Sequence, residues 1–270
     1  IGMVYTTRAT ILFSIVLFIS GLFSSYIILK KDDNIFSNIR SLLSFGSIFL
    51  FLLFSWILIF LNVRFSSEAW ATSLFLFAYA LYFFQTESRI KRYFFVGVLL
   101  GFAFLSRYQI GLLIFGFGLW VLFQRNEKFS RLCVLISGLI FAILIGVIID
   151  YWFYGKLVFS FWNYFEWHMI KGSIDNLIQP WWFYIYYSMV QLIPPITLFV
   201  PLIIIIFWVL FPRHSITWVT IPFIVFHHYF GHKEMRYLFP VIPFLPIMFV
   251  MTIEELVERF KYLKINILKY

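Results

Sequence analysis

The chain has 270 residues with a formal net charge of +9, of which 63% are hydrophobic and only 12% are charged. A soluble domain carries about 25% charged residues, so this composition excludes an ordinary water-soluble globular protein and indicates many membrane segments. The single cysteine, Cys133, excludes an intrachain disulfide and a cysteine-based metal site.

Nine apolar segments follow one another along the chain. They cover residues 9–29, 42–61, 69–84, 93–106, 108–123, 132–149, 187–211, 216–230 and 238–252. A membrane-spanning helix needs about 20 residues, so several of these segments must tilt, break or re-enter. The fourth and fifth segments are interrupted only at Ser106-Arg107, which predicts two short helices that meet at Arg107. The sequence therefore predicts an all-α polytopic membrane protein, with residues 1–252 as one transmembrane domain and residues 253–270 as a basic cytoplasmic tail.

Lys and Arg are distributed unevenly between the loops on alternate sides of these segments. Two thirds of the 21 fall on one side, which we expect to be cytoplasmic, because positive residues are retained there. These residues are explained as anchors of the topology, so we expect membrane lipid and no nucleic acid as a partner. Residue 1 then lies outside, and because the chain opens at Ile1 without an initiator Met, we expect a further helix upstream.

The longest connection covers residues 150–186 and is rich in Trp, Tyr and Phe. It is predicted to lie on the non-cytoplasmic side, with residues 156–170 as a helix that lies flat in the membrane interface. An aromatic belt would explain each of these side chains. The same surface could equally guide a lipid-linked substrate.

The charges predicted on the outer side are grouped beside apolar segments. They consist of Arg64, Glu68, Arg107, Asp150, His232, Lys233, Glu234 and Arg236. The last four stand within five residues. In hydrocarbon, each uncompensated charge costs about 2.5–3.5 kcal/mol, so we expect these groups to lie at the membrane surface or in a wet cavity.

Such a set fits an enzyme that uses a polyprenyl-phosphate sugar. The leaving phosphate needs cations, the acceptor hydroxyl needs a carboxylate to take its proton, and the isoprenoid chain needs a groove. The candidate substrate-binding residues are Arg64, Arg107, His232, Lys233 and Arg236, and the candidate catalytic carboxylates are Glu68, Asp150 and Glu234. A single pair such as Arg64 with Glu68 is equally explained by a helix-end ion pair worth about 0.2–0.5 kcal/mol.

The histidines near this motif are candidates for a metal site. His228 and His232 have the i, i+4 spacing of two zinc ligands, but the His-Glu-x-x-His pattern is absent and Gly231 interrupts a helix. We therefore predict no metal ligand among them, and the sequence leaves open whether a divalent cation assists. His227 and His228 are predicted to lie at the interface, bonded to backbone or lipid headgroups.

The polar motif also resembles a known family. His-Lys-Glu-Met-Arg-Tyr at residues 232–237, followed by Phe-Pro-x-x-Pro-Phe, resembles the His-Lys-Glu-x-Arg-Phe signature of glycosyltransferase family 22. These are GT-C-fold mannosyltransferases of GPI-anchor and N-glycan precursor assembly. Weaker similarities lie in the expected order at residues 55–56, 64–68, 97–107, 150–155 and 180–181.

The resemblance covers residues 8–246 and implies a GT-C-like helical bundle. It also implies a polyprenyl- or dolichyl-phosphate mannose donor, a lipid-linked or surface glycan acceptor, and inversion at the sugar carbon. On this hypothesis His232, Lys233 and Arg236 hold the donor phosphate, and Glu234 orients them. The residues that shape the same cavity would be Arg64, Glu68, Arg107 and Asp150.

Two features differ from the pattern of the family. Its members are expected to carry an acidic motif with a catalytic Asp in the first outer loop, and no such loop precedes Arg8. We therefore expect the principal base upstream of residue 1. Eukaryotic members continue well past the signature, so the short C-terminal part favours a bacterial inner-membrane protein or a second truncation, with the endoplasmic reticulum as the location in a eukaryote.

Two other functions compete with the transferase. A transporter or lipid flippase also uses short broken helices and charges in the membrane, although it predicts pseudo-symmetric halves, and no repeat is visible. A non-catalytic GT-C-like subunit would keep the fold without the acidic first loop.

Overall fold

The computed structural model describes residues 66–83, 90–167, 178–190 and 199–267, and the description below is of these residues. They are almost entirely helical. The α-helices are α1 (Ser67–Phe83), α2 (Ile90–Ser106), α3 (Gly111–Phe123), α4 (Phe129–Tyr154), α5 (Ser160–Phe165), α6 (Phe183–Val190), α7 (Phe199–Leu210), α8 (Ser215–Tyr229) and α9 (Leu245–Ile267). Two 3₁₀ helices, Tyr108–Ile110 and Met235–Phe244, precede α3 and α9.

The predicted apolar segments coincide with these helices in most places. The segments at residues 69–84, 93–106 and 132–149 correspond to α1, α2 and α4. The described parts of the segment at residues 187–211 lie in α6 and α7, and residues 191–198 are outside the described residues. The first two segments and Arg64 also lie outside the described residues.

The breaks between helices have identifiable causes. Arg107 has an extended backbone, with φ −158° and ψ 111°, so α2 ends there and the chain restarts as a 3₁₀ turn. Pro240 and Pro243 lack the N–H that an α-helix would use, and the second 3₁₀ helix contains both. The predicted meeting of two short helices at Arg107 is confirmed.

Two described helical stretches are long and apolar enough to cross a membrane, namely Phe129–Tyr154 and the continuous stretch Met235–Phe260. Tyr108–Phe123 and Phe199–Leu210 are apolar but shorter. The number of membrane segments stays a prediction. The domain boundary predicted at residue 252 falls inside α9, so the described part of the basic tail continues the last helix.

Glycines allow α2 and α4 to pack backbone to backbone. A Cβ placed on Gly97 would lie 1.9 Å from the carbonyl oxygen of Leu135, and one on Gly138 would lie 2.1 Å from that of Phe94. Small residues permit this kind of close approach between membrane helices. The C-terminal ends of α2 and α4 therefore lie side by side, where Gly146 adjoins Leu105.

An aromatic core connects α1 to the other helices. The Phe75 and Tyr79 rings of α1 pack against Phe117 of α3 and Phe244 of the second 3₁₀ helix, with centroid distances of 5.6 to 6.5 Å. The Tyr79 hydroxyl is hydrogen-bonded to the Ser215 hydroxyl at the start of α8. The position of the α1 N-terminus relative to the 3₁₀ helix is therefore fixed by packing.

Candidate functional site

Glu68 is the residue at which distant segments meet. It lies in the first turn of α1 and is only 4% exposed. Its carboxylate oxygen Oε1 is 3.1 Å from Nη1 of Arg107 and 3.8 Å from Nε of Arg236. We call Glu68, Arg107, Glu234 and Arg236 the outer cluster.

The start of α1 holds Glu68 in place. The Ser66 hydroxyl accepts a hydrogen bond from the amide of Ala69 at 3.2 Å, as an N-cap residue does. The Ser67 hydroxyl donates to Oε2 of Glu68 at 3.2 Å. A carboxylate in the first turn of a helix is favoured because that end of the helix is electropositive.

Arg107 is held by residues on three sides. Its Nη1 donates to the Ser67 hydroxyl at 3.2 Å, and its Nε donates to Oε1 of Gln109 at 3.1 Å. Its guanidinium carbon lies 5.3 Å from the centroid of the Tyr237 ring. The Arg107 side chain is 17% exposed and therefore has little freedom to reorient.

Glu234 receives hydrogen bonds from three side chains of its own motif. Arg236 Nη2 lies 3.1 Å from Oε1 of Glu234, and Arg236 Nε also pairs with this carboxylate. The Tyr237 hydroxyl and His232 Nε2 each lie 3.3 Å from Oε1. Burial opposes ionisation of Glu234, but the hydrogen bonds from Arg236 and His232 outweigh it and hold its pKa below the ordinary range.

Lys233 points away from these charges. It is 4% exposed, and its ammonium group donates to the carbonyl oxygens of Phe230 and, at 3.2 Å, Gln179. Burial lowers its pKa. The backbone amide of Gln179 also donates to the Gly231 carbonyl at 2.9 Å. Lys233 therefore helps to join the segment at residues 178–180 to the polar motif.

A tyrosine from α5 lies next to the outer cluster. The Tyr164 hydroxyl is 3.5 Å from Nε2 of Gln109, and its ring centroid is 5.2 Å from that of Tyr108. Burial raises the pKa of Tyr164, while Arg107 and Arg236 act in the opposite direction. The interfacial helix was predicted over residues 156–170, but residues 156–159 are not helical and α5 begins only at Ser160; residues 168–170 lie outside the described residues. Through Tyr164, α5 adjoins the charges.

Asp150 lies at a cavity beside the outer cluster. The cavity has a volume of about 470 Å³. It is lined by Trp70, Leu74, Phe102, Leu105, Ser106, Tyr108, Gly146, Ile149 and Asp150. Ser106 and Tyr108 flank Arg107 in the chain, so this mostly apolar space adjoins the charged groups.

The structure brings together five of the eight predicted site residues: Glu68, Arg107, His232, Glu234 and Arg236. Lys233 is adjacent but bonded to backbone, Asp150 lies at the neighbouring cavity, and Arg64 is outside the described residues. Gln109, Tyr164 and Tyr237 were not among the predicted site residues. The position of Gln109 two residues after Arg107 is a signal that could have identified it.

The two neighbouring histidines of α8 bond to backbone as predicted. Nδ1 of His227 is 2.7 Å from the carbonyl oxygen of Phe223, and Nδ1 of His228 is 2.9 Å from that of Ile224. His227 is 1% exposed and its ring packs on Phe223 at a centroid distance of 4.2 Å, so it does not face lipid headgroups; its depth in the membrane stays a prediction.

The sequence of the chain is similar to that of a known protein family. A family model described as the Alg9-like mannosyltransferase family matches residues 5–269. The chain belongs to this family. The resemblance inferred from the motif at residues 232–237 is therefore confirmed.

Two relatives of the family from yeasts are similar over about half of the chain. GPI mannosyltransferase 3 of Candida albicans is 28% identical over 130 residues, which is 47% of this chain and 25% of the relative. GPI mannosyltransferase 3 of Debaryomyces hansenii is 30% identical over 151 residues, 52% of this chain and 26% of the relative. The match thus spans about a quarter of the relatives' length. The predicted bacterial inner-membrane location finds no support. No solved structure matches the chain significantly.

Proposed function

We propose that the chain forms a GT-C-like catalytic bundle of an inverting mannosyltransferase. It transfers mannose from a polyprenyl- or dolichyl-phosphate donor to a lipid-linked glycan on the non-cytoplasmic face of the endoplasmic reticulum membrane. Family membership supports the reaction class. The names of the yeast relatives make a GPI precursor the first acceptor to test.

The observation that carries the proposal is the meeting of Arg107 and Arg236 at one carboxylate oxygen of Glu68. A leaving phosphate needs preorganised cations, and guanidinium groups bind phosphate oxygens with strong charge-assisted hydrogen bonds. The two carboxylates and two guanidiniums of the outer cluster balance in charge. A substrate phosphate would therefore replace a carboxylate as the partner of a guanidinium.

Arg236 is the guanidinium that reaches the donor phosphate in this proposal. Its side chain is 54% exposed, against 17% for Arg107. Arg107, Glu68 and Glu234 orient it, and His232 contacts the same oxygen of Glu234 as Arg236 does. Lys233 then acts as a positioning residue through the backbone of Phe230 and Gln179.

Asp150 is the proposed proton acceptor among the described carboxylates. Glu68 and Glu234 are both engaged by guanidiniums, whereas Asp150 lines the apolar cavity. The acceptor oxygen attacks the sugar carbon from the face opposite the phosphate, and its proton passes to the carboxylate. The bond from carbon to phosphate oxygen breaks, and the phosphate leaves with the electron pair. The acidic motif expected upstream is the alternative base.

The cavity beside α2 and α4 supplies apolar surface for the lipid part of a substrate. Its lining includes Trp70, Leu74, Phe102 and Ile149, and an isoprenoid chain gains free energy by leaving water for such a surface. The guanidiniums supply positive charge for the leaving phosphate. Addition of EDTA to the transfer assay tests whether a divalent cation adds to it.

The test replaces Arg236 by Ala and compares it with Arg259→Ala. Arg259 is a matched control because it is 57% exposed and pairs with Glu255 in α9. We expect Arg236→Ala to lose at least about 100-fold in mannose transfer, the usual cost of a lost transition-state contact. Arg259→Ala should transfer normally, since exposed i, i+4 pairs contribute little. Normal transfer by Arg236→Ala, at equal amounts of membrane-inserted protein, would refute the assignment.

A further inference from the structure

Two imidazole nitrogens near the outer cluster are buried, and neither has a hydrogen-bond partner among the described residues. Nε2 of His227 and Nδ1 of His232 are shielded from solvent and have no hydrogen-bond partner within the described part of the chain. Buried polar atoms of this kind are few in folded proteins, and an unpaired one costs about 1–3 kcal/mol. Two of them near one site call for a ligand group or ordered water.

The partners of the other ring nitrogens decide which chemistry is missing. His227 Nδ1 faces the carbonyl oxygen of Phe223 at 2.7 Å, so this nitrogen carries the proton and donates it. His232 Nε2 faces the Glu234 carboxylate at 3.3 Å and is the donor for the same reason. In the neutral rings, the two unpartnered nitrogens therefore hold lone pairs and can only accept.

Both rings flank the same tyrosine. The ring centroid of Tyr237 is 6.1 Å from that of His227 and 5.7 Å from that of His232. The guanidinium carbons of Arg107 and Arg236 lie 5.3 and 6.0 Å from the centroid of the same ring. Two acceptors and two cations thus surround Tyr237.

The acceptors and the cations require opposite kinds of ligand group. An ionised phosphate diester offers oxygen acceptors, which suit the guanidiniums but cannot satisfy a lone pair on an imidazole. A sugar offers hydroxyl donors, which can. A sugar phosphate presents both groups a few bonds apart.

We propose that His227 and His232 accept hydrogen bonds from hydroxyl groups of the substrate sugar and thereby select the sugar. This inference rests on the proposed transferase function and adds the recognition of the sugar to that of the phosphate. It gives His227 a role as a specificity residue, although it lies outside the motif at residues 232–237.

The test compares His227→Phe, which removes the acceptor, with His227→Gln, whose amide oxygen can occupy the place of Nε2. The probes are polyprenyl-phosphate mannose and a series of donors that each lack one sugar hydroxyl. A matched series of deoxy acceptors is assayed in parallel. A lost hydrogen bond of about 1.4 kcal/mol corresponds to a tenfold change.

We expect the wild-type protein to use one deoxy compound at least tenfold less well than its parent. His227→Phe should use that compound and its parent equally, and His227→Gln should keep the discrimination. If the effect falls in the donor series, the bound sugar is that of the donor; if it falls in the acceptor series, it is that of the acceptor. Either result supports the proposal.

Unchanged discrimination in His227→Phe would overturn the proposal and leave these nitrogens to ordered water. If neither His227 variant folds, His232→Asn and His232→Phe repeat the comparison, since an Asn amide oxygen can replace Nδ1. A wild-type protein that transfers no sugar from any mannose donor would refute the transferase itself, and with it this inference. A transferring wild type without selectivity for any hydroxyl would refute only this inference.

Discussion

Helices α1 and α2 carry a polar cluster at each end, and the two clusters have the same kinds of residue. The outer cluster lies where α1 begins and α2 ends. The second, which we call the loop cluster, lies where α1 ends and α2 begins, and consists of Tyr82, Tyr93, Arg125, Glu127 and Arg131. Both contain glutamate and arginine; the loop cluster includes two tyrosines, and Tyr237 contacts Glu234 and Arg107 of the outer cluster.

The clusters differ in how their members reach one another. In the loop cluster, Arg131 donates to Glu127, four residues before it in the chain, at 2.8 Å, and Arg125 is 3.5 Å from the same carboxylate. The Tyr82 hydroxyl donates at 3.3 Å to Oε1 of Glu127, the oxygen that Arg131 does not contact. Both oxygens of Glu127 thus have donors, so the loop cluster closes a turn between α3 and α4.

The outer cluster is built from segments far apart in the chain, and two buried acceptors beside it have no described partner. A local network with its hydrogen bonds completed is explained by stability. A network that gathers distant segments beside unpaired acceptors and a cavity is explained by a ligand. The contrast between the clusters therefore separates charges that support the fold from charges proposed to bind a substrate.

The largest expected effect comes from Glu68→Gln, compared with Glu127→Gln. Loss of the Glu68 charge leaves Arg107 and Arg236 facing each other without the anion between them, so both should move from the positions needed for phosphate. We expect transfer to fall about 100- to 1000-fold, as when an oriented charged group is lost. Mannose transfer by membranes that contain equal amounts of each variant is the measurement.

Glu127→Gln should transfer within about twofold of wild type at equal amounts of folded protein, because the loop cluster lies at the opposite ends of α1 and α2 from the outer cluster. The comparison between the clusters would fail if the two variants lost activity equally.

A smaller effect is expected from a change in the packing of α2 on α4, which positions the end of α2 at the outer cluster. In Gly97→Ala the new Cβ would meet the Leu135 carbonyl oxygen, which belongs to the backbone and cannot rotate away. We expect a loss of about 1–3 kcal/mol in stability and reduced transfer, because α2 must move from α4. The thermal midpoint of the purified protein in detergent and its activity are the readouts.

Gly118→Ala is the control, since a Cβ there meets nothing within 4 Å. It should be neutral or more stable by up to about 1 kcal/mol, from helix propensity alone. Equal midpoints for Gly97→Ala and Gly118→Ala would contradict the close packing of α2 on α4.

Tyr164→Phe should have a more modest effect at the outer cluster. It removes the hydroxyl that contacts Gln109, which in turn holds Arg107, while the ring contact with Tyr108 remains. One neutral hydrogen bond is worth about 1 kcal/mol, so transfer should fall about fivefold. Tyr151→Phe, at an exposed position of α4, is the control. If Tyr164→Phe were as active as this control, α5 would not contribute to the site.

The smallest effect concerns stability in acid. The pKa of Glu234 is below its usual 4.5 in the folded protein, because the hydrogen bonds from Arg236 and His232 outweigh burial. Its ion pairs therefore contribute stability above about pH 4.5, and this contribution is lost as the pH falls through the lowered folded value. Glu234→Gln should show a shallower loss of thermal midpoint below this pH than wild type.

The pKa of Glu127 is also lowered in the folded protein. Burial opposes ionisation of this carboxyl, but the hydrogen bond and charge of Arg131 outweigh it. Glu127→Gln should therefore also show a shallower loss of thermal midpoint in acid than wild type, while it transfers mannose normally at neutral pH. A steeper acid loss in either variant would contradict the direction of the shifts.

Sequence reasoning predicted the helices better than the contacts between them. Apolar runs bounded by charges located α1, α2 and α4, because each helix is one continuous hydrophobic segment. The family could be identified because His232 to Arg236 are consecutive or nearly so.

The site was predicted as a set of residues but not as a geometry. The direction of the Lys233 side chain is set by the carbonyl oxygens of Phe230 and Gln179, which accept its hydrogen bonds. No sequence pattern indicates where those carbonyl groups lie. Likewise, His227 looked like an interfacial residue because it ends an apolar helix. Its burial depends on Tyr237 and Phe223, which the fold brings beside it.

The most direct test of the outer cluster as the donor site is a structure of the protein in a lipid nanodisc with a polyprenyl-phosphate mannose analogue. The account predicts the phosphate oxygens within about 3 Å of the Arg236 guanidinium, the usual length of a charge-assisted hydrogen bond. A donor phosphate bound at Arg125 and Arg131 in the loop cluster, with the outer cluster unchanged, would contradict it.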